Sequence, residues 1–127
     1  MFHYTKKVSL PLEEAIVQLE EALTGETFGV LWQLDIQKKL QEKGVGFDKK
    51  FIILEVCNPQ EAKKVLEEEN LAGYFLPCKI VAYEENGQTK IGMPKPTTLI
   101  SMLENDKLKE VAQGIENRLI GCIDAVE

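Results

Sequence analysis

The chain has 127 residues, 44% of them hydrophobic and 28% charged, which is the size and balance of one globular domain spanning residues 1–127. Fifteen lysines and arginines against twenty-one aspartates and glutamates leave a net charge of -6, which opposes binding to nucleic acid or to an acidic bilayer. No apolar stretch approaches the roughly 18 residues of a membrane span, and the opening Met-Phe-His-Tyr-Thr-Lys-Lys lacks the apolar run of a secretory leader, so a cytoplasmic protein is expected.

Phe2 to Val8, rich in aromatic and β-branched residues, predict a strand that ends at the turn Ser9-Leu10-Pro11. Leu12, Ile16, Leu19 and Leu23 then recur at helical spacing, with Pro11 suited to the first turn, Glu13 and Glu14 at the positive end and Gly25 as the stop. Phe28 to Leu34 is too short and too β-branched for an independent helix and predicts a second strand. Asp35 is placed to cap a short helix that turns Ile36 and Leu40 inward and ends at Gly44.

Phe51 to Val56 is the most apolar run and predicts a central strand ending at Cys57. Asn58-Pro59-Gln60-Glu61 predicts a helix start, with Asn58 as cap, Pro59 in the first helical position and Glu61 placed to reach back to the cap. That helix is expected to run to about Glu69 with Ala62, Val65 and Leu66 inside. Tyr74 to Tyr83 predicts a further strand, Asn86-Gly87 a type I′ hairpin turn, and Thr89 to Met93 the return strand, broken by Pro94 and Pro96. From Asn105 to Ala125 a stripe of Leu108, Val111, Ala112, Ile115, Leu119 and Ile123, with Lys107, Lys109, Glu110, Glu116 and Asn117 facing the other way, predicts a long amphipathic helix.

These elements make an α+β fold: a single five-stranded, largely antiparallel or mixed sheet with helices packed on a face and a long C-terminal amphipathic helix. Neither a Gly-x-Gly-x-x-Gly fingerprint nor a phosphate loop ending in Lys-Ser or Lys-Thr occurs, so nucleotide binding of either standard type has no support.

No complete catalytic signature appears. The one histidine, His3, lies in the first strand far from any cysteine, which leaves little for a triad or a zinc site, and we expect no metal centre. Cys57, Cys78 and Cys122 are an odd number at wide spacings and predict free thiols. Cys57 precedes a helix start, where the partial positive charge of the amides lowers a thiol pKa and the same amides can hold an anion. Cys78 comes near Cys57 only if the strands that carry them run antiparallel; in the plainer alternative both are small buried hydrophobes. Asp35 and Asn58 are explained by capping alone, and Trp32, Phe75 and Tyr83 by core or interface packing. The acidic runs Glu20-Glu21 and Glu67-Glu68-Glu69 lack the spacing of a calcium loop and read as solvated helix faces.

Three segments together, Phe28-Gly29-Val30-Leu31-Trp32-Gln33-Leu34-Asp35, Phe51 to Pro59 with its Cys-Asn-Pro, and Leu76-Pro77-Cys78 to Glu84, resemble the family called domain of unknown function 302. The resemblance covers nearly the whole chain. It implies a small bacterial or archaeal α+β domain of the TATA-binding-protein-like class that pairs as a homodimer, and it implies no reaction. Its signature positions here are Asp35, Cys57, Asn58, Pro59, Pro77 and Cys78. Where members often carry an acid before the proline after the last strand, this chain has Met93-Pro94-Lys95-Pro96.

The reading that follows is a cytoplasmic small-molecule-binding or thiol-sensing domain, homodimeric, with a pocket at the Cys57-Asn58-Pro59 helix start that also involves Asp35, Pro77 and Cys78. The alternatives are a thiol-dependent enzyme with Cys57 as nucleophile or redox group, and a purely structural or interaction module. The cofactor, if any, is not named by the sequence.

Overall fold

In the computed structural model, which describes residues 1–127, the chain runs β1 (His3–Val8), α1 (Leu12–Gly25), β2 (Gly29–Asp35), α2 (Ile36–Glu42), β3 (Phe51–Cys57) and α3 (Pro59–Glu68). A 3-10 segment (Asn70–Phe75), β4 (Cys78–Glu85), β5 (Gln88–Pro94), α4 (Pro96–Ile100), a 3-10 turn (Ser101–Leu103) and α5 (Asp106–Asp124) complete it. The five strands form one sheet in the order β1-β5-β4-β3-β2, and every neighbouring pair is antiparallel. The expected α+β architecture is therefore present, in its fully antiparallel form.

Period-two alternation decides which face is buried. Ile52, Leu54 and Val56 of β3, Ile80 and Ala82 of β4, and Ile91 and Met93 of β5 are buried and join one core with Leu12, Ala15, Leu19 and Leu23 of α1 and Leu108, Ala112, Leu119 and Ile123 of α5. On the opposite face the register aligns Leu34, Ile53 and Val81 in one row and Trp32, Glu55 and Lys79 in the next. None of these side chains is buried, and Trp32 is 53% exposed.

Four local expectations need correction. Tyr74 and Phe75 are not in a strand; they end the 3-10 segment, the Leu76–Pro77 peptide bond is cis, and β4 begins only at Cys78 and continues to Glu85. An apolar run of ten residues carries no periodicity signal that separates a tight turn from a strand. Glu61 does not reach back to its cap but meets Lys64 and Arg118, and Leu66 is 42% exposed rather than inward. β2 contains a bulge between Val30 and Trp32, so that Leu31 is the extra residue and Phe28 is buried ahead of the strand. The short α4 between Pro96 and Ser101 had no sequence expectation, since five residues are too few to show a helical stripe.

Near its end β5 loses its partner on one side. The β4–β5 ladder runs from Glu85↔Gln88 to Val81↔Gly92, whereas the β1–β5 ladder continues to His3↔Pro94. Pro94 has no N–H to donate, which explains why the ladder to β4 stops short of it.

Candidate functional site

The sequence singled out the helix start at Asn58, and its polar groups are fully occupied by the fold. Asn58 Oδ1 accepts from the amides of Gln60 at 3.1 Å and Glu61 at 3.2 Å, the donors expected to hold an anion. Its Nδ2 donates to the hydroxyl of Thr27 at 2.8 Å. Thr27, at φ 63°, also accepts from Arg118 at 3.2 Å, and the Arg118 guanidinium lies 5.0 Å from the centre of the Phe28 ring. Asn58 is thus a buried junction between α3, the α1–β2 turn and α5. Asp35 likewise caps α2, accepting from the Lys38 amide at 3.0 Å.

The antiparallel β3–β4 pairing brings Cys57 and Cys78 to the same end of the sheet. Register then separates their side chains: Cys78 stands opposite Val56, so it shares the core face with that residue, and Cys57, one position on, points to the other. Both thiols, and that of Cys122, are free. Burial pushes the Cys57 thiol up from its ordinary value, so the expected lowering by the helix end does not win. Burial, with smaller contributions from Cys57 and Glu55, pushes Cys78 up to about 11. At neutral pH both are thiols and not thiolates.

An apolar, half-open cavity lies on the Cys78 side, with a volume of about 330 Å³. Ala112, Ile115 and Leu119 of α5 form one wall, Val65, Ala72 and Phe75 a second, and Met93, Leu99 and Ile100 a third. Leu76, Pro77 and Cys78 enter between them, and Glu55, Lys79 and Pro94 also line it. Twelve of its seventeen residues are hydrophobic, which suits it to an apolar guest. Cys57, Asn58, Pro59 and Asp35 do not line it. Pro77 and Cys78 were the only lining residues the sequence marked out for the site, because the rest come from seven separate elements.

One buried charge adjoins this cavity and corrects the expectation that Glu116 faces away from the apolar stripe of α5. Glu116, 6% exposed, accepts from the Thr97 amide at 3.1 Å and the Thr97 hydroxyl at 2.7 Å, fixing α4 on α5. A carboxylate among apolar stripe positions is the one signal that could have found it. No cluster of three or more histidine, cysteine or carboxylate side chains is arranged to hold a metal ion. No helix is long and apolar enough to cross a membrane.

Comparison with known proteins agrees with this description. A family model described as "Domain of unknown function DUF302" matches residues 4–126. The crystal structure of an uncharacterized conserved protein DUF302 from Bacillus stearothermophilus is similar over 100% of this chain and 99% of that one, at 58% sequence identity and a TM-score of 0.97. No curated protein matches the chain.

Proposed function

The chain belongs to the family described as domain of unknown function DUF302, and from that premise we propose that it is a cytoplasmic, non-catalytic binding domain that takes a small molecule into the cavity beside Pro77 and Cys78. One observation carries the reading: twelve hydrophobic residues converge on this half-open cavity of about 330 Å³, whereas the other surface depressions are lined mainly by polar groups. The thiol-enzyme reading loses its motive, since burial raises both Cys57 and Cys78 and leaves neither as a ready nucleophile. Cys78 acts instead as a reporter in the wall, protected from reagents when the cavity is filled.

The partner is a second copy. Support comes from the open face of the sheet, where Trp32, Leu34, Ile53, Val81 and the stacked pair Phe51 and Tyr83 supply apolar area beyond what the single core uses.

Two measurements test the proposal. Thermal-shift screening against a metabolite set should return ligands that raise Tm and slow alkylation of Cys78 together, because a guest that binds only the folded state stabilises it by mass action. Ala112→Phe should abolish both effects; ligands that stabilise the variant equally would place binding elsewhere and overturn the reading. Sedimentation equilibrium at micromolar concentration should show a dimer, and a single 14.3 kDa species would overturn the pairing.

A further inference from the structure

Resting on the cavity reading above, we infer that the guest is an uncharged, mainly apolar molecule carrying one hydrogen-bond donor, and that the donor meets the main-chain carbonyl of Lys79.

β4 and β5 are joined by the two-residue turn Asn86-Gly87, both at positive φ, and in such a hairpin the closing pair, here Glu85 and Gln88, exchanges two hydrogen bonds. Every second pair along an antiparallel ladder does the same, which makes Tyr83↔Lys90 and Val81↔Gly92 the next hydrogen-bonded pairs. Continuing the register sets Lys79 opposite Pro94. Pro94 has no N–H, so β5 cannot donate to the Lys79 carbonyl that is turned toward it. Lys79 and Pro94 both line the cavity, so an acceptor lacking its ladder donor stands at the wall of an otherwise apolar space.

The charges that line the cavity argue for an uncharged guest, the adjoining Glu116 being taken up by Thr97. Glu55 and Lys79 are cross-strand partners of opposite sign, and they offset one another. The other fifteen lining residues bear no charge at neutral pH, so a carboxylate or ammonium drawn inside would be desolvated without a dedicated partner. At roughly 30 Å³ for each water-sized group, the volume accommodates a molecule of about ten non-hydrogen atoms.

The test compares 1-octanol with octyl methyl ether, which keeps the apolar body and lacks the donor, and with octanoate, which adds a charge. The expected result is saturable binding by calorimetry with the alcohol about tenfold tighter than the ether, and no saturable octanoate binding. Pro94→Ala restores an N–H opposite Lys79 and should remove the preference for the alcohol while leaving binding of the ether. Equal affinities for alcohol and ether in the natural chain, an unchanged preference in Pro94→Ala, or tighter binding of octanoate would each overturn the inference and leave the cavity reading standing. If none of the three binds and metabolite screening also returns nothing, the cavity reading itself falls.

Discussion

Asn58 Nδ2 stands 2.8 Å from the Thr27 hydroxyl, across 31 residues of chain. One amide side chain thereby starts α3 through its oxygen and ties that start to the α1–β2 turn through its nitrogen. Thr27 holds a positive φ that a β-branched residue rarely adopts, and its hydroxyl bonds help keep it there.

This junction predicts coupled losses. Asn58→Ala should destabilise the fold by about 1–3 kcal/mol in urea titration, the sum of a lost cap and a lost side-chain hydrogen bond to Thr27. A double-mutant cycle with Thr27→Ala should show an interaction energy of about 0.5–1.5 kcal/mol. Strict additivity would mean that the two side chains do not act on each other.

Glu116 predicts the behaviour of the cavity wall. Its carboxylate receives both donors of Thr97, and Glu116→Ala should cost about 1.5–3 kcal/mol and release α4, since hydrogen bonds to a buried charge are among the strong ones. Hydrogen exchange at Leu99 and Ile100 should accelerate selectively in Glu116→Ala and far less in Glu116→Gln, which keeps an acceptor in place. Uniform acceleration across α5 and the sheet would indicate global loosening rather than release of this one wall.

How much of this was legible in the sequence depends on whether the signal is local. Asn58 and Asp35 were readable as caps because a cap acts within three residues of itself. The second bond of Asn58, to Thr27, was invisible because its partner is set by tertiary packing. Glu61 shows the same limit: the local pattern has it turn back to its own helix, but Arg118 arrives from α5 and takes it. The cavity was the least legible feature, being the space left where α3, the 3-10 segment, α4 and α5 meet the sheet. The fold class, by contrast, followed from strand and helix order, and the hairpin at Asn86-Gly87 set the antiparallel sense of its second half.

Cys78 predicts a loss of stability at alkaline pH. The folded chain holds its proton up to about 11, whereas an unperturbed thiol has a pKa of 9.0. Between those values the unfolded state binds fewer protons, so stability is full below about pH 9 and falls as pH rises, by roughly 2–3 kcal/mol across the window. Chemical denaturation of the natural chain and of Cys78→Ala at intervals between pH 8 and 11 isolates this contribution from the lysines. The difference between their stabilities should change with pH in that window, and parallel curves would show that the thiol titrates normally.

Gly92 predicts the tightest steric constraint in the sheet. A Cβ there would lie 2.6 Å from Thr5 Oγ1, 3.1 Å from the Tyr4 carbonyl oxygen and 3.2 Å from Thr5 Cβ. Thr5 is its direct partner on β1, and its hydroxyl lies 3.0 Å from His3 Nδ1, so the side chain that would have to yield is itself held. Gly92→Ala should therefore destabilise the fold by about 1–3 kcal/mol, the usual cost of overpacking, and weaken the β1–β5 pairing first. Thr5→Ala removes the closest contact but leaves the backbone oxygen and the Cβ, so in the Gly92→Ala background it should restore part of the loss. Full restoration would mean that the Tyr4 backbone shifts freely. If Gly92→Ala instead proves neutral in urea titration, β1 is not held against β5 at the spacing described, and the cost assigned to this contact is wrong.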